Sequence, residues 1–280
     1  MERFGSEKIN PYSDSGEKRE QIEAMFDHIA PAYDFMNSAM SLGQHRRWRN
    51  RALDMLTPRL DSSPRRILDI ATGTGDVAFA LARRFPNTAI TGLDLSEGML
   101  RVARHRLGNT PLPGKTSIEF LQGDSLDLPF ADGSFDLVTV AYGVRNFADI
   151  RRGLTEIRRV MRPGALLCVI ELSVPASSLP RIGYNLYTRL IPLAGRLIAG
   201  DSDAYTYLPR SIAAAPQRDR MTSLMKECGF RAPQWRSLSL GALCIYTALI
   251  HFFENTYTIV GSSTSVSLSS THSNLLTDTS

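Results

Sequence analysis

Residues 67–76 read ILDIATGTGD, and this stretch decides the fold. An apolar run ends in an acid, turns through Gly73 and Gly75, and continues into an apolar-periodic segment at 77–85. The pattern predicts a strand, a turn and a helix. Because glycine has no side chain and tolerates backbone conformations closed to other residues, such a turn lets a ligand approach the main chain closely. We therefore expect a small, flat molecule to bind here.

The glycine spacing fits two kinds of ligand. With Ala78 it satisfies the G-x-G-x-x-G/A fingerprint of dinucleotide-binding turns, which carries little weight alone. A dinucleotide places its diphosphate at the helix N-terminus, where the carboxylate of Asp76 would repel it. Asp69 and Asp76 instead suit a ligand with a positive centre and an amino group, such as S-adenosylmethionine. The next predicted strand ends at Asp94, whose carboxylate can accept ribose hydroxyls from either ligand.

The composition is that of an ordinary globular protein, with 280 residues of which 43% are hydrophobic and 8% aromatic. A formal net charge of +4 is mild and does not by itself require a nucleic-acid partner. The three cysteines are odd in number and widely spaced, which favours reduced core residues over a metal or redox role. Residues 1–20 lack a signal-peptide apolar run, and the nearly uncharged stretch 237–250 is shorter than the roughly 20 residues that span a bilayer. We expect a soluble, cytoplasmic protein.

From residue 66 onward, apolar runs alternate with helical patterns. Strands are predicted at 67–71, 89–94, 117–122, 135–142 and 165–172, and helices at 77–85, 97–107 and 150–161. Pro163-Gly164 predicts a turn that starts the fifth strand. The alternation predicts a doubly wound α/β fold with parallel strands, right-handed crossovers and a ligand at the carboxyl ends of the strands. A helix at 217–228 and a hairpin at 234–238 and 244–250 complete a seven-stranded sheet.

The segments around this sheet differ in character. Residues 1–20 are polar and predict a flexible tail, whereas 21–60 show helical spacing that predicts an N-terminal helical cap. Within the inserted segment 175–215, the apolar helix at 179–198 is either plain core packing or a lid over an apolar substrate. Residues 251–280 are rich in Ser and Thr without periodicity and predict disorder.

The densest basic cluster of the chain consists of Arg46, Arg47, Arg49 and Arg51 with Trp48. This pattern is typical either of a solvated helix face or of a contact with membrane headgroups or an anionic ligand. Peripheral contact with the inner face of a membrane is therefore one expectation for this protein.

Four stretches resemble a known family: FDHIAPAYD at 26–34 with Trp48-Arg49, DIATGTGD at 69–76, YGVRN at 142–146 and YTYLPRSI at 205–212. The glycine stretch is similar to that of class I S-adenosylmethionine-dependent methyltransferases in general. The Arg-Asn pair after the fourth strand and the Tyr-Leu-x-x-Ser-Ile stretch resemble the quinone C-methyltransferases of menaquinone and ubiquinone synthesis. The likeness runs from about residue 26 to residue 250, which implies a methyltransferase domain over 21–250.

The resemblance implies that S-adenosylmethionine is the co-substrate. Its expected binding residues are Asp69, Gly73, Thr74, Gly75, Asp94, Asp124, Ser125 and Ala141. Thr74 and its flanking glycines would line the methionine part, Asp94 would hold the ribose, and Asp124-Ser125 would flank the adenine. A structural turn is the alternative for Asp124. Many relatives carry serine at the position of Ala141, so a side-chain hydrogen bond is lost there and a backbone contact is left.

The reaction that the resemblance implies is C-methylation of a demethylmenaquinol to a menaquinol, the last step of menaquinone synthesis. A hydroquinone carbon becomes nucleophilic when a phenolic proton leaves, and that pKa resembles that of tyrosine, about 10. The enzyme must supply a base or a cation. Arg145 is the candidate cation, Asn146 would orient it or the ring, and His45 and Tyr33 are candidate acid-base residues. For His45, the alternative is a structural role. Methyl transfer from a sulfonium to an aromatic carbon requires no metal.

Other functions stay open at this point. The acceptor is alternatively a demethoxyubiquinol, alone or alongside the naphthoquinol, or another small molecule or an RNA. A nicotinamide oxidoreductase and a binding protein with a decayed site are the rivals outside methyl transfer. The favoured partner is a polyprenyl quinol rather than a nucleic acid, and a homodimer is one expectation for the assembly.

Overall fold

The computed structural model describes residues 3–13, 15–60, 63–198 and 202–250, with residues 58, 189–198 and 202 described by their backbone alone. The disorder predicted for 251–280 lies outside these residues.

A seven-stranded sheet organises the described chain. Its strands are β1 (Arg66–Ile70), β2 (Ala89–Asp94), β3 (Ser117–Gln122), β4 (Phe135–Ala141), β5 (Met161–Leu172), β6 (Arg231–Leu238) and β7 (Leu243–Leu249). The spatial order is β3-β2-β1-β4-β5-β7-β6. Strands β1 to β5 pair in parallel, whereas β7 runs antiparallel between β5 and β6. The predicted doubly wound α/β sheet with a final hairpin is therefore confirmed.

Helices flank the sheet and cover its carboxyl edge. They are α1 (Lys18–Ile29), α2 (Tyr33–Met40), α3 (Gln44–Leu56), α4 (Asp76–Arg84), α5 (Glu97–Gly108), α6 (Ile150–Val160), α7 (Ser178–Ile198), α8 (Ser202–Ala214) and α9 (Asp219–Glu227). The first three form the segment predicted as a cap, and α7 and α8 form the insertion between β5 and α9.

The strand side chains alternate between two buried faces, as expected for a sheet covered on both sides. Leu68 and Ile70 of β1 belong to the core cluster that includes α6 and α9. Ile67 belongs to the opposite cluster, which includes α3, α4 and α5. A third cluster packs α1 and α2 against α8, with Tyr205 and Tyr207 among its buried residues. This third cluster holds the cap and the insertion together at the end of the sheet where a ligand is expected.

The boundary before β5 differs from the prediction. Met161 already pairs with Phe135, so the strand starts four residues earlier than expected and includes Pro163-Gly164. Gly164 has a φ of 80°, and the register shifts between Phe135 and Leu137. Proline and glycine in a strand typically mark a bulge. The predicted turn is a bulge within the strand.

The N-terminal segment also differs from the flexible tail expected over 1–20. Its described part packs on the domain through a short 3-10 helix at Gly5–Lys8. The buried carboxylate of Glu7 accepts a hydrogen bond from the Ile150 amide at 2.7 Å. The buried Lys18 ammonium donates to the Ser6 carbonyl, and its pKa is lowered to about 8 by burial. These contacts between polar groups distant in sequence give no periodic signal.

Candidate active site

The site lies where β1 and β4 end side by side. Strand β1 has β2 on one side and β4 on the other, which makes this the topological switch point where ligands bind in open α/β sheets. Two non-glycine residues at the strand ends, Ala71 and Tyr142, have left-handed φ values of 53° and 58°. A Cβ at Gly143 would lie 2.5 Å from the Cβ of Ala71, so only glycine fits there. Strained backbone of this kind is concentrated at functional sites.

Two cavities share this edge. The smaller is lined by Asp94, Asp124 and Ser125 at strand ends and by α1. The larger, about 300 Å³, lies between the cap, the strand ends and α7–α8. Both are lined by Phe26, Tyr33, Ala71, Gly73, Ala141 and Tyr142. Molecules held in the two cavities would therefore meet at the ends of β1 and β4.

Asp94 is buried in the smaller cavity. Its Oδ2 accepts from the Gly73 amide at 2.7 Å and its Oδ1 accepts from the Ser96 amide at 2.9 Å. Burial raises the pKa of this carboxyl to about 6. Each oxygen of a carboxylate has a second lone pair, so a ribose that donates two hydroxyl protons fits this group.

Asp124 lies in a turn at the wall of the smaller cavity, and its expected contact with the adenine stays a prediction. It lines the smaller cavity, and its Oδ1 accepts from the Leu126 amide at 2.9 Å in a turn. Its Oδ2 accepts from Arg19 of α1, also at 2.9 Å. A second contact, from Gln122 to Glu23 at 3.2 Å, lies beside it. Helix α1 is thus tied across the end of β3, over this cavity.

Two residues expected at the cofactor lie beneath the cavities rather than in their walls. Asp69 is 1% exposed, and its two oxygens accept from the hydroxyls of Thr72 and Thr139, each at 2.6 Å. Burial raises the pKa of this carboxyl to about 6. A Cβ at Gly75 would lie 2.9 Å from the rings of Phe79 and Phe120. Both residues hold the glycine turn in shape from below.

The carboxylate of Asp76 does not offer the free negative charge that the sequence suggested. It accepts from Arg49 at 2.8 Å and from Arg106 at 2.7 Å, and these contacts outweigh burial and lower its pKa. Asp76 lines the larger cavity with its charge shared between two arginines, and its attraction for a positive centre stays a prediction.

Arg106 joins the cap to the glycine turn, a role that the sequence did not reveal. Its guanidinium donates to the Thr74 carbonyl at 2.8 Å and to the Asp34 carboxylate at 3.2 Å. The Thr74 hydroxyl donates to the other Asp34 oxygen at 2.6 Å. Asp34 belongs to the FDHIAPAYD stretch, which was the only available signal, whereas nothing in the sequence distinguishes Arg106 from other helical arginines.

Arg145 lines the larger cavity and is buried against Glu171 at 2.8 Å. Burial alone would lower the pKa of Arg145, but the Glu171 carboxylate raises it above its usual value. Asn146 lines the smaller cavity, and its Oδ1 accepts from the Tyr207 hydroxyl at 3.0 Å. The sequence brought out the Arg-Asn pair but neither Glu171 nor the bond from Tyr207.

His45 and Tyr33 both line the larger cavity, with opposite acid-base properties. Burial raises the pKa of Tyr33, so its phenol is protonated at neutral pH. Burial lowers the pKa of His45, so its imidazole is neutral there. The Ser41 hydroxyl donates to the Asn37 carbonyl at 2.6 Å and lies 2.8 Å from His45 Nδ1. With the hydroxyl proton on the Asn37 carbonyl, Nδ1 donates to Ser41 and Nε2 is the basic nitrogen.

A sheet of this order, with a glycine turn after β1 and an acid at the end of β2, defines a class I methyltransferase. The chain belongs to the ubiE/COQ5 methyltransferase family, whose model matches residues 13–250.

Individual comparisons agree with this assignment. The chain is 47% identical over 245 residues to the demethylmenaquinone methyltransferase of Porphyromonas gingivalis, covering 87% of this chain and 98% of the relative. It is 40% identical over 233 residues to the ubiquinone/menaquinone biosynthesis C-methyltransferase UbiE of Geobacter sulfurreducens, covering 82% and 89%. A solved S-adenosylmethionine-dependent methyltransferase from Thermotoga maritima matches with a TM-score of 0.53 and 19% identity, over 81% of this chain and 98% of that chain, which shows the fold alone.

Proposed function

We propose that this protein transfers the methyl group of S-adenosylmethionine to a ring carbon of demethylmenaquinol. The observation that carries the proposal is the pair of cavities that share the ends of β1 and β4. One has a buried carboxylate suited to a ribose, and the other has the apolar and aromatic walls that a quinol ring needs. The names of the relatives, demethylmenaquinone methyltransferase among them, support this reaction over other methyl transfers.

S-adenosylmethionine supplies an electrophilic methyl group on a sulfonium. Asp94 would hold its ribose, and Asp124 and Ser125 would lie at its adenine. Gly73 and Ala141 would leave the main chain accessible to the cofactor at the ends of β1 and β4. Thr74 would act mainly through the turn that it shapes, because its hydroxyl already donates to Asp34. Asp69 and Gly75 would support the same turn from beneath.

The larger cavity suits an apolar acceptor. Methionines of the cap, Trp48 and tyrosines of α7 and α8 contribute to its walls: Met25, Met36, Met40, Tyr184, Tyr187, Tyr205 and Tyr207. Flexible thioethers and flat aromatic rings pack well against a fused aromatic ring and a prenyl chain. On this proposal, α7 acts as a lid over an apolar substrate rather than as plain core packing.

His45 and Arg145 would prepare the acceptor. His45 Nε2 takes the phenolic proton, and the Arg145 guanidinium stabilises the phenolate oxygen. The electron-rich ring carbon forms a bond to the methyl carbon as the carbon–sulfur bond breaks and its electron pair stays on sulfur. The same ring carbon then loses its hydrogen as a proton to solvent, which restores aromaticity, and protonated His45 returns its proton to the phenolate oxygen. Asn146, held by Tyr207, would orient the Arg145 loop, and Tyr33 would form part of the wall as a neutral phenol.

The test is transfer of labelled methyl to reduced short-chain demethylmenaquinone, with a demethoxyubiquinone analogue in parallel. Label in the naphthoquinol alone supports the proposal. Label in both acceptors indicates the dual specificity that the UbiE name of the Geobacter sulfurreducens relative describes. Label in neither acceptor, when the protein is shown to bind S-adenosylmethionine, would overturn the proposal.

Contact with a membrane surface belongs to the same proposal. No helix among the described residues is long and apolar enough to cross a bilayer. Exposed apolar side chains include Leu42, which lines the larger cavity and is 87% exposed, and Leu179 and Ile182 on α7. Arg46 and Arg47 of α3 lie next to this region in sequence. If the fraction of protein that sediments with liposomes rises with their anionic lipid content, docking is supported. If that fraction does not depend on anionic lipid content, docking is contradicted.

Three further expectations stay predictions. A homodimer is tested by light scattering, the absence of a metal requirement by chelation, and the absence of nucleic-acid binding by a titration with RNA.

A further inference from the structure

Residues 4–8, here called the N-terminal strap, lie against the loop at 144–146 that follows β4 and carries the Arg-Asn pair. The 3-10 helix of the strap packs beside this loop and beside α8. The guanidinium of Arg220 on α9 lies 5.0 Å from the centre of the Phe4 ring. The family model begins at residue 13, so the strap lies outside the matched part of the chain. The strap nevertheless touches three elements, one of which carries a candidate catalytic residue.

Glu7 joins the strap to the start of α6. Its buried carboxylate accepts from the Ile150 amide at 2.7 Å through Oε1 and from the Phe4 amide at 2.5 Å through Oε2. Ile150 is the first residue of α6, just after the loop at 144–146. Hydrogen bonds from backbone amides to an ionised carboxylate are stronger than bonds between neutral groups. Glu7 therefore holds the end of the loop that leads into α6.

Lys18 holds the strap from the other side, at the start of α1. Its buried ammonium donates to the Ser6 carbonyl and lies 5.9 Å from the centre of the Tyr207 ring. The Tyr207 hydroxyl donates in turn to Asn146 at 3.0 Å. The side chain that fixes Asn146 thus packs against the ammonium that fixes the strap.

The same ammonium lies within electrostatic reach of Arg145. Burial lowers the pKa of Lys18, the Glu7 carboxylate raises it, and the positive charge of Arg145 lowers it. A buried charge that loses its partner is left without compensation, so buried charged contacts are costly to break. The contacts of the strap should therefore resist movement of the loop.

We propose that Glu7 and Lys18 are positioning residues, which hold the loop at 144–146 in the place from which Arg145 acts on the acceptor. This inference rests on the proposed function, and it adds two residues that line neither cavity. A displacement of about 1 Å at a reacting group can lower the rate a hundredfold. A loosened loop should therefore lower kcat much more than it weakens cofactor binding, because Asp94 lies on another strand.

Glu7→Ala is the principal variant, and Asp136→Ala is its matched control. Asp136 is 6% exposed, as Glu7 is, and accepts from the amides of Arg65 and Arg66 at 2.6 and 3.0 Å. It also pairs with Arg162 at 2.7 Å, so the control should lose at least as much stability. Asp136 lies near the start of β4, away from the carboxyl ends of the strands, and lines neither cavity.

The first readout is the split between kcat and cofactor affinity. Glu7→Ala should lower kcat for reduced short-chain demethylmenaquinone by roughly tenfold or more, while calorimetry shows a nearly unchanged Kd for S-adenosylmethionine. Glu7→Gln keeps an oxygen that can accept from Ile150 and should recover part of the loss. Lys18→Met keeps the apolar stem and should lower kcat as well, which preserves the test if Glu7→Ala does not fold. Asp136→Ala should keep its kcat. A loss of kcat no larger than that of the control, in Glu7→Ala and in Lys18→Met, would overturn the proposal.

Hydrogen exchange of the ligand-free protein, followed by mass spectrometry, gives a readout that does not require methyl transfer. Glu7→Ala should speed exchange in a peptide that covers 142–150, whereas Asp136→Ala should leave exchange there unchanged. Unchanged exchange at 142–150 in Glu7→Ala would overturn the proposal. Faster exchange in Glu7→Ala, with no methyl transfer even by the unaltered protein, would sink the proposed function. Methyl transfer that Glu7→Ala leaves unchanged would sink this inference alone.

Discussion

The guanidinium of Arg145 lies 2.8 Å from the carboxylate of Glu171, and their side chains are only 7% and 3% exposed. This places a fully formed buried ion pair at the wall of the larger cavity. The Arg145 charge is therefore partly balanced before any acceptor binds, and Glu171 fixes where the guanidinium points. A phenolate that forms in the cavity would share the cation with Glu171.

Separating the structural role of Arg145 from its catalytic role requires two variants. Arg145→Met leaves the Glu171 carboxylate buried without its partner, which should lower the free energy of unfolding by about 3 kcal/mol. Arg145→Met with Glu171→Gln removes both charges and should recover at least half of that loss in urea denaturation. Both variants should lack turnover while cofactor affinity stays within a few fold. A double variant that turns over as well as Glu171→Gln alone would remove Arg145 from the mechanism.

The Arg145–Glu171 pair also shows what the sequence can and cannot predict. Strand ends, the glycine turn and Asp94 were predictable because alternation and glycine spacing are local signals. Glu171 lies 26 positions from its partner and Arg106 lies 32 positions from Thr74, so no local pattern connects them. The two arginines that share the charge of Asp76 were also not predictable, since only the fold brings them close.

Burial of Asp94 and Asp69 should make stability depend on pH. Each carboxyl has a folded pKa of about 6, above its unfolded value, so the folded state holds more protons between roughly pH 4 and 6. The free energy of unfolding of the ligand-free protein should therefore fall as pH rises through this window, by about 3 kcal/mol for each group at most. Asp94→Asn should flatten the slope, as measured by urea unfolding at several pH values.

Binding of S-adenosylmethionine should show the opposite trend. Ionised Asp94 accepts two ribose hydroxyls better than the protonated acid, so cofactor affinity should rise as pH increases through about 6. Calorimetry checks this, with Asp132→Asn as the control because Asp132 lies on an exposed loop. A cofactor affinity that Asp94→Asn leaves unchanged at pH 7.5 would contradict the assignment.

The tautomer of His45 predicts the pH profile of turnover. Because burial lowers the pKa of His45, Nε2 remains unprotonated at neutral pH and activity should decline only as pH falls below 6.5. His45→Gln should lower kcat by roughly a hundredfold or more, the usual contribution of a general base. Ser41→Ala should lower kcat less, because Nδ1–H loses its acceptor and the less useful tautomer becomes populated.

The comparison of these variants separates a base from a structural histidine. If His45 only packs the cap, His45→Gln should lower the Tm. The pH at which kcat declines on the acid side should then stay unchanged. If it is the base, that decline should disappear in His45→Gln and persist in Ser41→Ala.

Arg106 should affect cofactor binding although it lines neither cavity. Arg106→Ala removes the donor that joins Thr74, Asp34 and Asp76. We expect a loss of about 2 kcal/mol in the free energy of unfolding, as for hydrogen bonds to charged groups, and weaker cofactor binding because the glycine turn loosens. The exposed Arg101, on the same helix, gives the control variant Arg101→Ala. Equal cofactor affinity in both variants would show that the turn keeps its shape without Arg106.

Helix α1 should control how fast the cofactor enters and leaves. Arg19 of α1 pairs with Asp124 across the mouth of the smaller cavity at 2.9 Å, and their side chains are 49% and 25% exposed. An exposed pair of this kind contributes little to stability. Arg19→Ala should therefore leave the Tm nearly unchanged but increase the dissociation rate of S-adenosylmethionine, measured by stopped-flow competition. Salt should accelerate dissociation from the unaltered protein, because it screens the exposed pair, and should have less effect on the variant.

The control for α1 breaks a similar ion pair far from the cavities. Arg151 of α6 lies 2.6 Å from Glu227, with 31% and 53% of the side chains exposed, and lines neither cavity. Arg151→Ala should not change the dissociation rate or its dependence on salt. If Arg19→Ala behaves like this control, the contact over the cavity mouth does not limit exchange. If only Arg19→Ala accelerates release, opening of α1 limits the rate at which the cofactor leaves the protein.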